Sequence, residues 1–471
     1  MIPSVTPGFP ETAHERNKKG QKLLYPVRTE SAISGAVASL SGFPGAANSS
    51  SDDALTPARM HRHALAIAFA FGLVGLALFL FGVNKPAMMF YDEGYFVPEA
   101  KVFIHGSVNP NPPQEKPPLG KLMLSIGIRT FGDNSFGWRV GEAVFGAMTL
   151  PAIFLWTYLL LRDLRLATLA TGLTLFNNFL FVMSRIGMVD ASLMFFLFWS
   201  LVAFTAALVL DVSVGLRRSL FCSAGVLVGL AGSIKWNAID TLAALVLVTF
   251  TLWWIARRPI AAVSSSISSC AEKVKDMGLP VLIFGVIVAP VASYCLTYWP
   301  LCQAIHRPFS VHELIAIHKS IWHFNSTTIS NRAITLPWYS WPLNLNPQRS
   351  LSYLMGNPAV TWGGLAALAI CLRRLWKAFT FQEGLVVILF AANYFQWAVT
   401  PEKGLFYYYY FPSVMILGVT IAVALRGLPS HIFGVRISLL LLLAAATIFL
   451  KCYPQMTYLQ APWDCALGCW P

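Results

Sequence analysis

Charged residues are scarce in this chain of 471 residues: Asp, Glu, Lys and Arg together make up 12%. A water-soluble protein carries about 25% of such residues, because its surface has to be solvated. Hydrophobic residues make up 56% of the chain, and the mean hydropathy is +0.60. The composition therefore excludes an ordinary water-soluble fold and predicts an integral membrane protein.

The sequence also lacks the cysteine spacing of a metal site and an apolar run close to Met1. We therefore expect no cleaved signal peptide. Residues 1–60 are rich in Ser, Pro, Gly and charge, which predicts a disordered basic cytoplasmic tail. Near the other end, Cys465 and Cys469 could form a disulfide in an oxidising compartment, or they could be two free thiols.

Long apolar runs follow one another from residue 64 onward. At about 20 apolar residues per span, they predict an all-α bundle of about eleven transmembrane helices within residues 61–453. The predicted spans are 64–83, 137–161, 166–184, 188–211, 219–234, 238–256, 278–299, 359–372, 383–399, 405–425 and 435–452.

Basic residues sort onto one side of this bundle. If the N-terminus is cytoplasmic, every basic pair between spans falls on the cytoplasmic side, as the positive-inside rule requires. Topology then accounts for the net charge of +13, and no nucleic-acid partner is expected. Outer loops at about 85–136 and about 300–358, and a short tail at 454–471, face the extracytoplasmic side. Short amphipathic stretches at 95–105 and 119–131 are expected to lie along the membrane surface.

The first outer loop concentrates polar groups of both signs. Asp92 and Glu93 follow directly after a span, where a carboxylate can accept a proton from a hydroxyl or hold a metal ion. A solvated loop start would have the same sequence. Farther along, Lys116 and Lys121 flank a Pro-Pro pair that stiffens the backbone. These lysines suit a phosphate headgroup, or they reach the membrane interface.

Further basic residues lie at the outer ends of spans, against the positive-inside bias, and therefore call for partners. They are Arg139, Arg185, Lys235 and Lys403. Asp190 is close in sequence to Arg185 and is either its structural partner or a catalytic group. If these charges converge, they form one cationic site beside one or two carboxylates. Such a site suits a lipid-linked phosphate donor, because cations stabilise the departing phosphate.

Taken in order, the motifs resemble those of the protein O-mannosyltransferases of the GT-C superfamily, which are membrane glycosyltransferases that use polyprenyl-phosphate sugars. The resemblance extends from about Phe81 to about Ser413. The matching segments are Asp92–Glu93, Pro117–Lys121, Phe131–Arg139, Ser184–Asp190, Gly232–Asn237, Trp338–Leu343, Gly356–Pro358 and the tyrosine-rich segment before Pro412. It implies a GT-C-type bundle with amphipathic helices in the first outer loop.

The resemblance also implies roles. Asp92 would be the catalytic base, and Glu93 its neighbour or a positioning group. The implied ligands of the carrier phosphate are Lys116, Arg139, Arg185 and Lys403, with Lys121 and Lys235 as weaker candidates. The implied reaction is an inverting displacement without a covalent enzyme intermediate. No cofactor is expected, although the Asp-Glu pair leaves a divalent metal open.

Three features depart from the family pattern. Lys116 stands where the family usually has histidine before Pro-Pro, and the Glu-Lys-Pro-Pro segment instead resembles transferases of aminoarabinose to lipid A. Lys403 replaces an arginine, which reduces bidentate contact with phosphate. The loop at 300–358 is too short for the sugar-binding domain of eukaryotic members, which is typical of a prokaryotic one.

Three functions are therefore considered. The first is transfer of a sugar, most simply mannose, to Ser or Thr of exported proteins at the cell membrane. The second is the same chemistry on a lipid or glycan acceptor, and the third is transport of lipid-linked precursors. Charges at the span ends disfavour transport, because transporters place them near the bilayer midplane. The expected partners are the lipid-linked sugar, the acceptor, membrane lipids and, as in many family members, a second copy in a dimer.

Overall fold

The computed structural model describes residues 57–107, 115–258, 264–327, 336–343, 356–399, 405–428, 431–432 and 435–457. Three of the predictions fall outside these residues: most of the N-terminal tail, the side chain of Lys403, and the two cysteines of the C-terminal tail.

Helices make up most of the described chain. The first nine are α1 (Pro57–Leu80), α2 (Glu93–His105), α3 (Leu119–Phe131), α4 (Ser135–Leu161), α5 (Leu164–Leu175), α6 (Asn178–Met183), α7 (Asp190–Val209), α8 (Val214–Gly232) and α9 (Ala238–Ile255). The rest are α10 (Ser265–Met277), α11 (Leu279–Ile283), α12 (Ala289–Leu296), α13 (Tyr298–Ala304), α14 (Val311–Thr327), α15 (Pro358–Lys377), α16 (Phe381–Val399), α17 (Phe411–Leu425) and α18 (Ile437–Thr457).

Short irregular elements complete the described structure. A π-helical turn over Phe284–Val288 joins α11 to α12, and 3₁₀ turns cover Trp338–Ser340 and Tyr407–Tyr410. A two-residue antiparallel ladder pairs β1 (His431–Ile432) with β2 (Val435–Arg436).

The chain is an all-α, multi-pass membrane protein. Within the described ranges, eight helical stretches are long and apolar enough to cross a bilayer, so the predicted count of about eleven is not confirmed. Each of the other three predicted runs is helical but is interrupted or bordered by polar residues. The run at 166–184 breaks where Asn177 caps α6, α15 ends in basic residues, and α16 carries Glu383 and Asn393.

Packing distinguishes inner helices from lipid-facing ones. Helix α17 is buried along nearly its whole length, and α7 packs against both α4 and α8. By contrast, α1 exposes Leu65 and Phe69, and α18 exposes Leu443 and Leu450. Apolar side chains on a spanning helix face hydrocarbon, so this exposure is what a bilayer requires. Small residues allow close helix contact inside: a Cβ on Gly225 of α8 would lie 1.9 Å from the carbonyl oxygen of Gly285.

The two predicted amphipathic stretches form α2 and α3, and α3 leads into α4 through a capped turn. Gly132 takes φ +90° at the end of α3, a left-handed conformation that favours glycine. Oδ1 of Asn134 then accepts hydrogen bonds from the N–H groups of Phe136 and Gly137, which caps α4. This turn lies at the end of the bundle where the charged residues of the candidate active site are found.

Candidate active site

Glu93 and Arg139 form a buried, bidentate ion pair at this end of the bundle. Nε and one terminal nitrogen of Arg139 each donate to a different carboxylate oxygen of Glu93, both at 2.7 Å. The N–H groups of Phe90 and Gly187 donate to the same carboxylate at 2.8 and 2.7 Å. Since Glu93 begins α2, this network holds the loop that carries Asp92.

The remaining hydrogens of Arg139 are directed to backbone carbonyls. They go to Val83, Pro86 and Met88 at 3.3, 2.7 and 2.9 Å. A guanidinium has five N–H donors, and all of them have protein acceptors in this structure. Arg139 therefore fastens the segment between α1 and α2 to α4.

Arg185 has a comparable structural position. It donates to the carbonyls of Phe79, Phe81 and Gly82, at the end of α1, and its guanidinium lies 5.1 Å from the ring of Phe181. A cation at the C-terminus of a helix satisfies carbonyls that lack an intrahelical partner. The structure brings Arg185 and Arg139 to the wall of one small cavity.

A second group of side chains surrounds Asp92. The carboxylate of Asp92 is half-buried and accepts a hydrogen bond from the phenol of Tyr408 at 3.1 Å. Nζ of Lys235 lies 5.4 Å from the centre of the Tyr408 ring and forms an ion pair of 2.6 Å with Asp190. Of the two alternatives for Asp190, a structural partner of Arg185 or a catalytic group, the first is wrong, because its ion-pair partner is Lys235.

Left-handed backbone precedes both carboxylates of this group. Tyr91, before Asp92, has φ 53°, and Val189, before Asp190, has φ 61°. This conformation is unfavourable for β-branched and bulky residues, at a cost of about 1–3 kcal/mol each. Packing around Val189 maintains it, since a Cβ on Gly120 would lie 2.8 Å from Val189. Backbone strain of this kind is common at residues that position functional side chains.

The Glu-Lys-Pro-Pro segment borders the same group. Lys121 is buried and donates to Glu99 at 2.6 Å and to the carbonyl of Lys116 at 2.8 Å. Nζ of Lys116 donates to Oδ1 of Asn325 in α14 at 2.6 Å, and Nδ2 of Asn325 donates to the carbonyl of Glu115 at 2.9 Å. Helix α14 therefore fixes the position of Lys116.

Electrostatics link this segment to Asp92. The side chain of Glu115 is buried, and burial is the main cause that raises its pKa to about 7. The charges of Asp92 and Glu99 contribute to this rise, whereas those of Lys116 and Lys235 oppose it. We call Asp92, Glu99, Glu115, Lys116, Lys121, Asp190, Lys235, Asn325 and Tyr408 the acid–lysine cluster.

The sequence alone predicts no role for several members of the cluster. Glu99 and Glu115 lie in segments already singled out, so their carboxylates were visible in the sequence. Tyr408 lies in the tyrosine-rich segment that matched the family pattern, whereas Asn325 has no local signal, because it reaches the cluster from the distant helix α14. One acid lies inside a span and not at its end: Glu142 is buried two turns into α4, where it accepts the N–H of Ser192 at 3.0 Å.

The part of the chain that the structure describes contains no group of three or more His, Cys, Asp or Glu side chains placed to hold a metal ion. The chemistry that the cluster offers is that of a base with adjacent ammonium groups. A half-buried carboxylate can take a proton from a hydroxyl. Ammonium groups in a partly desolvated site stabilise developing negative charge strongly.

Known proteins are similar to this chain in sequence and in fold. A family model described as dolichyl-phosphate-mannose-protein mannosyltransferase matches residues 103–307. A polyprenol-phosphate-mannose–protein mannosyltransferase of Mycobacterium tuberculosis (strain CDC 1551 / Oshkosh) is 24% identical over 72% of this chain and 76% of its own. One from Corynebacterium glutamicum is also 24% identical, over 74% of this chain and 80% of its own.

Solved structures agree on the architecture. A chain of the S. cerevisiae protein O-mannosyltransferase Pmt1–Pmt2 complex, bound to the sugar donor, superimposes with a TM-score of 0.69 at 13% identity. The match covers 84% of this chain and 90% of that one. ArnT from Cupriavidus metallidurans, bound to undecaprenyl phosphate, gives a TM-score of 0.53 at 19% identity, over 78% and 61% of the two chains.

The helical membrane bundle and these matches define the class: the chain is a membrane glycosyltransferase with the GT-C fold. The motif order, the family model and the bacterial relatives all indicate the protein mannosyltransferases within that class. Within that class, the chain is similar in sequence to the protein mannosyltransferases.

Proposed function

We propose that this protein transfers mannose from a polyprenyl-phosphate carrier to Ser or Thr hydroxyls of exported proteins. The observation that carries the proposal is the acid–lysine cluster, in which Asp92 lies among lysines at one end of the bundle. The bacterial relatives, named as polyprenol-phosphate-mannose–protein mannosyltransferases, support this donor and acceptor.

In the proposed reaction, Asp92 accepts the proton of the acceptor hydroxyl as that oxygen attacks the anomeric carbon. The bond from this carbon to the carrier phosphate breaks in the same displacement, which inverts the anomeric configuration. Lys116 and Lys235 stabilise the charge that develops on the departing phosphate. Glu93 and Arg139 act as positioning residues, because their ion pair fixes the start of α2 beside Asp92.

The proposed orientation places the acid–lysine cluster on the extracytoplasmic side. Basic residues that fall between spans at the opposite end, such as Arg217, Arg218 and Arg374, support it through the positive-inside rule. This orientation gives the cluster access to exported acceptors. We also propose that the enzyme needs no metal ion, since ammonium groups can stabilise the phosphate, and that it can pair with a second copy.

A lipid or glycan acceptor is the second candidate, and Lys116 favours it. Lys116 follows Glu115 in a Glu-Lys-Pro-Pro segment like that of aminoarabinose transferases. Its Nζ donates to Asn325, so a fixed ammonium group stands where the mannosyltransferases usually have histidine. The donor chemistry is the same in both cases, and the acceptor distinguishes them.

The test is transfer by purified protein in lipid nanodiscs, supplied with radiolabelled polyprenyl-phosphate mannose. Ser/Thr-containing peptides and membrane lipid extracts are offered in parallel. Labelled peptide supports the first candidate, and labelled lipid alone supports the second. The anomeric configuration of the product, measured by NMR, checks the inversion, and added chelator checks the absence of a metal requirement.

Asp92→Asn is the decisive variant. Removing a general base costs about a hundredfold to ten-thousandfold in rate, so we expect transfer to fall by that factor. Asp133→Asn is the matched control, because Asp133 is an exposed carboxylate that pairs with Lys101. Transfer by Asp92→Asn at the wild-type rate would exclude Asp92 as the base.

A further inference from the structure

Glu115 is a buried acid without a hydrogen-bond partner on one of its carboxyl oxygens. Its side chain is 7% exposed, and Oε2 contacts no donor in the described structure. A buried carboxylate without a donor is costly, whereas a protonated carboxyl group is much less so. Burial therefore favours the neutral, proton-bearing form of Glu115.

The residues around Glu115 offset this cost only in part. Asp92 and Glu99 add negative charge, from the start and the middle of α2. Lys121 pairs with Glu99, and Lys235, in the turn after α8, pairs with Asp190. Nζ of Lys116 donates to Oδ1 of Asn325, so this ammonium group is directed toward α14.

Position distinguishes Glu115 from other buried acids of the protein. Its backbone carbonyl is held by Asn325 and its backbone N–H by Glu99, at 2.9 and 3.3 Å. It directly precedes Lys116, a proposed ligand of the carrier phosphate. Glu115 is thus fixed beside the place where the leaving group would lie, and its pKa of about 7 suits a proton donor at neutral pH.

We propose that Glu115 carries a proton in the resting enzyme and donates it to the carrier phosphate as the sugar leaves. This inference rests on the proposed function. The bond between the anomeric carbon and the phosphate oxygen breaks, its electron pair stays on that oxygen, and the oxygen takes the proton of Glu115. The acceptor oxygen bonds to the anomeric carbon and releases its proton to Asp92.

One turnover therefore ends with Asp92 protonated and Glu115 ionised. Their charges interact, so return of the proton from Asp92 to Glu115, directly or through water, restores the resting site. No external acid, base or metal is consumed. In one displacement, Asp92 takes the proton of the acceptor and Glu115 gives a proton to the leaving phosphate.

Two measurements test this role, and the first needs no donor. Infrared spectra of the wild-type protein, recorded between about pH 5 and about pH 9, follow the C=O stretch of protonated carboxyl groups. We expect a component that titrates near pH 7 and is absent from Glu115→Gln. Glu313→Gln is the matched control, because Glu313 is buried but ion-paired with Arg307, and it should keep this component.

The second measurement is the pH dependence of transfer. The wild-type rate should fall as pH rises through about 7, because ionised Glu115 has no proton to give. Glu115→Gln should lower the rate about a hundredfold or more and remove this alkaline decline, and Glu115→Asp should recover part of the rate. Binding of polyprenyl phosphate should persist in Glu115→Gln, which shows that the site is intact.

The inference would be overturned by an infrared titration of Glu115→Gln that is identical to that of the wild type, or by a Glu115→Gln enzyme that keeps the wild-type rate and alkaline decline. A uniform loss of rate with an unchanged pH profile would also reject it, since that indicates a structural role. A wild-type protein that shows the infrared component but does not use polyprenyl-phosphate mannose would instead contradict the proposed function.

Discussion

The phenol of Tyr408 donates a hydrogen bond of 3.1 Å to Oδ2 of Asp92, although 316 residues separate the two in sequence. Tyr408 lies in the 3₁₀ turn before α17, and Asp92 lies just before α2. The contact therefore joins the first outer loop to one of the most buried helices of the bundle. It orients the carboxylate that we propose as the base.

Replacing Tyr408 with Phe should lower the transfer rate without unfolding the protein. A hydrogen bond to a charged group contributes about 1.5–3 kcal/mol, so we expect a loss of about tenfold to a hundredfold. Tyr410→Phe is the matched control, because the hydroxyl of Tyr410 is buried without a hydrogen-bond partner in the described structure. Equal activity of the two variants would show that Tyr408 does not position Asp92.

Loss of Arg139 should mainly destabilise the fold. Arg139→Ala leaves the carboxylate of Glu93 buried without its partner, and removing one member of a buried pair costs about 3–5 kcal/mol. We expect a lower unfolding temperature in detergent. The double variant Arg139→Met/Glu93→Met should lose less than the sum of the single changes, because neither charge is then left alone. A variant Arg139→Ala with wild-type stability and weakened donor use would instead identify Arg139 as a phosphate ligand.

Asn325 gives a prediction about donor affinity. Its amide accepts from Nζ of Lys116 and donates to the carbonyl of Glu115, so Asn325→Leu should release the ammonium group from its fixed position. We expect KM for the lipid-linked donor to rise about tenfold, with a smaller change in kcat, because an interaction with the bound phosphate is weakened. Ser326→Ala, at the next, exposed position of α14, should leave both constants unchanged. A fall in kcat alone would contradict this role.

Local sequence pattern was sufficient for the helices and for part of the site. The stretch 119–131 was predicted from its amphipathic pattern and forms α3 within the same bounds. The prediction that Arg139 has a partner is confirmed by Glu93, because an isolated charge at a span end is costly wherever it lies. Partner choice was less predictable: Asp190 pairs with distant Lys235 and not with its sequence neighbour Arg185. Such choices depend on how helices pack, which no short segment encodes.

The pair of Lys235 and Asp190 tests how the cluster divides its charge. Both side chains are about 95% buried, and Nζ also faces the ring of Tyr408. Asp190→Asn removes the counter-charge, so Lys235 should be drawn toward the carboxylate of Asp92 and compete with the acceptor hydroxyl for it. We expect kcat to fall, and the loss of transition-state stabilisation that this fall represents should exceed the loss in the free energy of unfolding.

Lys235→Met should behave differently, because it removes a proposed phosphate ligand and leaves Asp190 as an unpaired buried anion. We expect both a higher KM for the donor and a loss of about 3–5 kcal/mol in stability. In the double variant Lys235→Met/Asp190→Leu, stability should recover because no charge is left unpaired, while KM for the donor stays high. If KM recovers together with stability, Lys235 serves only to neutralise Asp190, and the carrier phosphate is held by the other lysines.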